Sequence, residues 1–199
     1  MPDLSRLLRT TAIASVVTLG LSGCVLSPQV IELNEQTNID SQQLQQPRNA
    51  LIRVVDKRGV DEDLLGYRGG RMPENSPLLA STPLKEVLTN RLRSTMAQLG
   101  FGGSSQQEAL KVQLDINSFD YECDEGVMVN ECRLDMTLSV EVMDGASKFD
   151  KPYTMSESRS VVASPSQEYN QQWLNESIDK LWSHIFADKE LLMKLGVSQ

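Results

Sequence analysis

The chain has 199 residues, 40% of them hydrophobic, and a formal net charge of −8. That length suits one domain with some sequence to spare, and the apolar share is enough for a real core. An acidic chain lacks the basic face that phosphate contacts require, so nucleic acid is excluded as a partner class.

The first element is a leader. Arg6 and Arg9 precede Thr10 to Gly20, an uncharged and mostly apolar run. A helix needs roughly 20 apolar residues to cross the hydrocarbon core, so this run reads as the h-region of a signal peptide. It leads into Leu21-Ser22-Gly23-Cys24, which resembles a bacterial lipobox. The small residues let a peptidase reach the backbone, and the Cys24 thiol is the nucleophile that takes the lipid. The expected divisions are a signal peptide over 1–23, a lipidated cysteine and flexible tether over 24–49, and one periplasmic domain over 50–199. Acyl chains contribute about 0.8 kcal/mol per buried CH₂, so such an anchor holds essentially permanently. Position 25 is Val rather than the Asp of an inner-membrane retention signal, which points to the periplasmic leaflet of the outer membrane. Losing two arginines and one aspartate with the leader moves the net charge from −8 to −9.

Val25 to Asn49 is rich in Gln, Asn and Ser and is expected to be the tether, with a short extended segment at Val30 to Leu33. A flexible chain of about 25 residues has an end-to-end distance near 25–30 Å, enough to clear the headgroups. Leu51 to Asp56 is a β-rich run, and Lys57 to Ser81, broken by glycines and prolines, is expected to be a loop and a candidate functional surface. Thr82 and Pro83 open a helix whose apolar face is Leu84, Val87, Leu88, Leu92, Met96 and Leu99, with Gly100 as its stop.

A long hairpin follows. Apolar residues fall on even positions from Leu110 to Ile116, on odd positions from Phe119 to Cys123, and on even positions again from Cys132 to Val142. One extra residue near Asn117-Ser118, a β-bulge, restores the phase. The pairing then sets 123 against 132, 121 against 134 and 119 against 136. Beyond the bulge it sets 116 against 138, 114 against 140 and 112 against 142. Both strands thereby agree on one buried face, and the other face is polar. Tyr153 to Ala163 is a further strand. A last long helix begins near Ser164-Pro165 and carries Tyr169, Trp173, Leu174, Ile178, Leu181, Trp182, Ile185 and Phe186, followed by a helical tail that stops at Gly196. The order β-α-β-β-β-α gives a two-layer α+β domain, with two amphipathic helices on one face of a mostly antiparallel sheet.

With these elements in place, Val54-Val55-Asp56-Lys57-Arg58, Leu65-Gly66-Tyr67-Arg68-Gly69-Gly70 and Pro83 to Phe101 resemble the YajG-like family of bacterial envelope lipoproteins. The resemblance implies a gammaproteobacterial envelope protein with a lipid anchor and an α+β fold. It implies no catalytic residue, cofactor or settled biochemical role. The Cys123/Cys132 pair is not a feature of that family in general and reads as a local elaboration.

The chemistry-bearing residues are few. With Cys24 lipidated and the compartment oxidising, Cys123 and Cys132 remain, opposite each other in the hairpin register, and a disulfide between them is expected. The sole histidine, His184, falls on the polar face of the last helix, so neither a zinc set nor a Cys-His or Ser-His-Asp arrangement is supported. Asp120, Glu122, Asp124, Glu125 and Glu131 crowd the hairpin end without EF-hand spacing. At the tip, Val127, Met128 and Val129 either fold back on the domain or contact a partner. Asp56 and Arg58 are read as a pair that organises the following loop. No metal and no cofactor is expected. The reading is a non-enzymatic protein held to the outer membrane through N-terminal acyl chains, with an interaction or envelope-maintenance role and an unidentified envelope protein as partner. The alternative is a lipid- or small-ligand-binding auxiliary of envelope transport. A hydrolase, the third class, would need a nucleophile and base in one cleft.

Overall fold

The computed structural model describes residues 27–37, 39, 43–70, 72–103, 105–124, 126 and 128–197. The signal segment, Cys24, Glu125 and Val127 lie outside the described residues. In chain order come β1 (Gln29–Ile31), β2 (Ala50–Asp56), β3 (Leu64–Tyr67) and a 3₁₀ turn (Pro73–Asn75). Then follow β4 (Pro77–Ala80), α1 (Leu84–Gln98), β5 (Leu110–Asp124), β6 (Asn130–Asp144), β7 (Ser147–Val161), α2 (Gln167–Phe186) and α3 (Lys189–Leu195).

The strands form one sheet in the order β1-β4-β3-β5-β6-β7, with β2 also paired to β5. Its centre is the β5–β6–β7 meander, antiparallel throughout. The β5–β6 register is the expected one. Cys123 opposes Cys132, Phe119 opposes Met136, and after an irregularity between Ile116 and Ser118 the pairing resumes as Ile116 with Leu138 and Val112 with Val142. The physical reason is the period-2 rule: without the bulge, half of the apolar residues would turn to water. The inner face buries Leu110, Leu114, Tyr121, Leu134, Leu138 and Val142. Arg133, Asp135, Thr137, Ser139 and Glu141, on the outer face of β6, are exposed or half-buried.

The helices cover the inner face. Leu84, Val87, Leu88, Leu92 and Met96 of α1 are buried, as are Trp173, Leu174, Ile178, Leu181, Trp182 and Ile185 of α2. The α1 N-terminus is Pro83 with no side-chain cap, one residue after the expected Thr82. Ser166 caps α2 by accepting from the Tyr169 amide. Gly196, at φ +80°, ends α3.

Three short strands depart from the expected order. β3 and β4 lie within the stretch expected as loop, paired with each other and, through β3, with β5. Each has four residues, with Gly66 inside β3 and Pro77 opening β4, so neither carries enough periodicity to be read alone. β1 lies within the expected tether, parallel to β4. Ile31 is fully buried and Leu33 nearly so, so this part of the segment belongs to the core. The strand expected over Tyr153 to Ala163 is the latter part of a 15-residue strand, β7, which ends at Val161.

Glu157 on β7 binds the helical layer. It accepts from Trp173 Nε1 at 2.9 Å, Ser177 Oγ at 2.9 Å and Lys180 Nζ at 2.7 Å. Asp188 does the same for α3. It caps the helix through the Glu190 amide at 2.9 Å and accepts from Tyr153 Oη and Lys151 Nζ, both at 2.7 Å. Burial favours its neutral form, but these donors outweigh it and hold the carboxyl at about 2. A depressed folded-state pKa stabilises the fold above the ordinary carboxylate range, and the contribution is lost as pH falls through the folded value. We expect Asp188→Asn, which keeps a capping side chain, to lower stability at neutral pH. The gap between variant and parent should close between about pH 4 and pH 2 in chemical denaturation titrations.

Candidate functional site

One end of the sheet gathers most of the residues singled out by sequence. The C-terminal ends of β3, β5 and β7 and the N-terminal ends of β1, β4 and β6 meet there, because Tyr67 opposes both Glu122 and Pro77, Asn130 opposes Val161, and Gln29 opposes Leu78. The β5–β6 tip is closed by the Cys123–Cys132 disulfide, with Cα atoms 4.0 Å apart. On the entropic model, closing a loop of about ten residues contributes roughly 2–3 kcal/mol.

The segment Leu65-Gly66-Tyr67-Arg68-Gly69-Gly70 is built against that tip. Leu65 is fully buried. Gly66, at φ +143°, lies so close to β5 that a Cβ would sit 2.0 Å from the Tyr121 carbonyl oxygen. Gly69, at φ +81°, would place a Cβ 2.2 Å from the Cys123 carbonyl oxygen. Only glycine allows both approaches.

Arg68 between them is buried and has neutral acceptors. Its Nη1 donates to the Ser27 carbonyl at 2.7 Å, and its Nη2 donates to the Pro165 carbonyl at 3.0 Å and to Ser164 Oγ at 3.2 Å. Burial lowers the guanidinium pKa from its ordinary value. Beside it runs a buried polar ladder. Tyr121 Oη donates to Asn170 Oδ1 at 2.8 Å, Asn170 Nδ2 to Gln29 Oε1 at 2.8 Å, and Gln29 Nε2 to the Pro165 carbonyl at 3.1 Å. Burial raises the Tyr121 hydroxyl pKa, so it serves as a donor and not as a base. Arg68 and the ladder together fix the start of β1 to α2 and to β5.

The ladder continues along the N-terminal segment. The Glu32 amide donates to Gln171 Oε1 at 3.1 Å, and the Asn34 amide to Asn175 Oδ1 at 2.7 Å. Asn175 Nδ2 returns a bond to the Glu32 carbonyl at 3.0 Å. From α1, Arg91 donates to the Asn34 carbonyl at 2.9 Å and to Asp179 at 2.6 Å, with its guanidinium 5.2 Å from the Trp182 ring centroid. Residues 29–37 therefore lie against both helices and are not a tether.

Beside the Gly66 approach, an open cleft of about 380 Å³ is lined by Val60, Leu64, Pro73, Phe119, Glu122 and Asp124 among others. Asp56 and Arg58 form the expected organising pair. Arg58 donates to both Asp56 oxygens and to the Leu64 and Glu62 carbonyls, which shapes the loop into β3. His184 is exposed and packs edge-on to Tyr153. Among the described residues, no group of three or more His, Cys, Asp or Glu converges as a metal site. Met128 is 83% exposed and Val129 42%, so this part of the tip is not folded back on the domain. Cys24 and Val127 lie outside the described residues.

Sequence reasoning missed Gln29, Arg68, Arg91, Asn170, Gln171 and Asn175 as holders of the N-terminal segment. A signal was present in the alternation of Gln29, Ile31 and Leu33, which all face inward.

The family model described as "Uncharacterized lipoprotein" matches residues 36–195. No curated protein matches the chain. Among solved structures, the chain is similar to protein XCC0632 from Xanthomonas campestris, at 11% identity and a TM-score of 0.48 over 81% of this chain and 95% of that one. It is also similar to a neuraminyllactose-binding hemagglutinin homolog from Helicobacter pylori, at 12% identity and a TM-score of 0.44 over 82% and 95%. At these scores neither likeness carries an argument about role.

Substituting Gly66 by Ala should cost about 2–4 kcal/mol, since it combines backbone strain with a clash against β5. Gly145, at φ +56° with no atom within 4 Å of its would-be Cβ, is the control and should lose only about 1–2 kcal/mol on the same change. Equilibrium urea denaturation of the two variants tests this.

Proposed function

Because the chain belongs to this family of bacterial lipoproteins, we propose that it is a non-enzymatic protein anchored through Cys24 to the periplasmic leaflet of the outer membrane, close to the YajG-like lipoproteins, with an interaction or envelope-maintenance role. The observation that carries the reading is the joining of a lipobox to the fold. Leu21-Ser22-Gly23-Cys24 stands three residues before Ser27, whose carbonyl Arg68 binds. Arg68, Gln29 and Asn170 at that end are engaged in holding the N-terminal segment, and the hydroxyl of Tyr121, which is buried there, is committed as a donor. The outer face of β5–β6–β7, broad and polar, is the surface such a protein presents to an envelope partner. Among the described residues no helix is long and apolar enough to cross a membrane.

The cleft between β3 and β5 favours a second reading, a lipid- or small-ligand-binding auxiliary of envelope transport. Its lining combines Val60, Leu64 and Phe119 with Glu122 and Asp124. That composition suits an amphiphile with a cationic or neutral head.

Cys24→Ala should abolish acylation and release the chain from the outer-membrane fraction. Mass spectrometry of the N-terminal peptide and sucrose-gradient fractionation read the two effects. An unmodified Cys24 in the parent would end the anchored reading. Native mass spectrometry showing a bound lipid on the domain would favour the second reading over the first.

A further inference from the structure

The end of the sheet that holds Ser27 also carries a cluster of exposed apolar side chains. Met72 is 59% exposed, Met128 83%, Val129 42% and Val162 86%. They come from three separate connections, β3 to β4, β5 to β6, and β7 to α2. The sheet register brings these connections together, because Tyr67 faces Pro77 and Glu122, and Val161 faces Asn130. Leu51 and Met193, also exposed, lie elsewhere in the fold. Tyr67, 37% exposed, stands at the margin of the cluster.

The length of chain between the anchor and this end decides what covers it. Three peptide steps separate Cys24 from Ser27, and fully extended they span at most about 11 Å. The headgroup region of one leaflet is itself about 5–8 Å thick. With its Ser27 carbonyl bound to Arg68 and Gln29 locked into the polar ladder, the domain has no 25-residue leash on which to stand away from the membrane. An acylated Cys24 therefore brings this end of the sheet against the bilayer, at the high effective concentration that a short linker imposes.

We infer that the sheet end bearing Met72, Met128, Val129 and Val162 rests on the phospholipid surface that holds the anchor, with the central strands directed away from it. The inference rests on the lipid-anchor reading given above. The contact is apolar in character. Asp120, Glu122, Asp124 and Glu131 at the same end, with Arg133 among them, oppose an anionic surface and favour a zwitterionic one.

Native methionines report the contact directly. The lipidated full chain is reconstituted into phosphatidylethanolamine/phosphatidylcholine vesicles and exposed to dilute hydrogen peroxide, and sulfoxide formation is followed peptide by peptide. Met193 on α3, 63% exposed, is the internal reference. Docking predicts that Met72 and Met128 oxidise roughly fivefold or more slowly than Met193 on the vesicles. Oxidation of Met72 and Met128 at the Met193 rate overturns the proposal. Protection that appears in isolated envelopes but not on lipid vesicles also overturns it, and assigns the patch to a protein partner. Flotation and the mass of the Cys24 peptide are measured on the same sample. A chain that carries no acyl group and fails to float removes the anchored reading and this proposal together, whereas a chain that floats with unprotected methionines removes this proposal alone.

Discussion

The hydrogen bonds that hold residues 29–37 to the two helices are the interaction on which the rest of the structure depends. A backbone segment buried on an apolar layer must satisfy its amides and carbonyls, and each one left unpaired costs about 1–3 kcal/mol. Here the partners are the amide side chains of Gln171 and Asn175 on α2 and the guanidinium group of Arg91 on α1, while Arg68 holds Ser27 just before the segment. Asn170 and Gln29 complete the arrangement from inside the core, where both are at most 6% exposed. A buried polar network of this kind specifies one arrangement, because a shifted segment would leave several donors without acceptors.

That constraint determines where function is displayed. Fixing Gln29 beside Leu78 sets β1 on β4, β4 pairs with β3, and β3 reaches β5 through Gly66 and Tyr67, with a close approach at Gly66. The disulfide keeps the β5–β6 tip closed where Gly69 packs on Cys123. The result is one end of a sheet at which the N-terminal segment, a shallow cleft and exposed apolar side chains come together. The opposite end is closed by the Gly145 turn and by the Arg48–Asp144 ion pair.

Much of this was legible in the sequence, and the limits have physical causes. The β5–β6 register could be read because two long strands share one buried face, so a single break in their period-2 pattern locates the bulge. The disulfide followed from that register. The helices were legible from their 3–4 residue spacing. β3 and β4 were not, since strands of four residues interrupted by Gly66 and Pro77 depend on pairings made far along the chain. The N-terminal segment was misread because Gln, Asn and Ser are the composition of a solvated linker. The same side chain types bond backbone well, and here α2 presents Gln171 and Asn175 to a segment that needs them. Arg68 and Arg91 could not be placed from spacing, because their acceptors lie 41 to 97 residues away in the chain.

The most direct measurement is native-state hydrogen exchange at the Glu32 and Asn34 amides of the intact chain. The account predicts that both exchange slowly, through openings that approach the global unfolding free energy, alongside the central amides of β6 and α2. Exchange at both positions with the rates of an unstructured peptide, while β6 and α2 remain protected, would contradict it and return the segment to the role of a free tether.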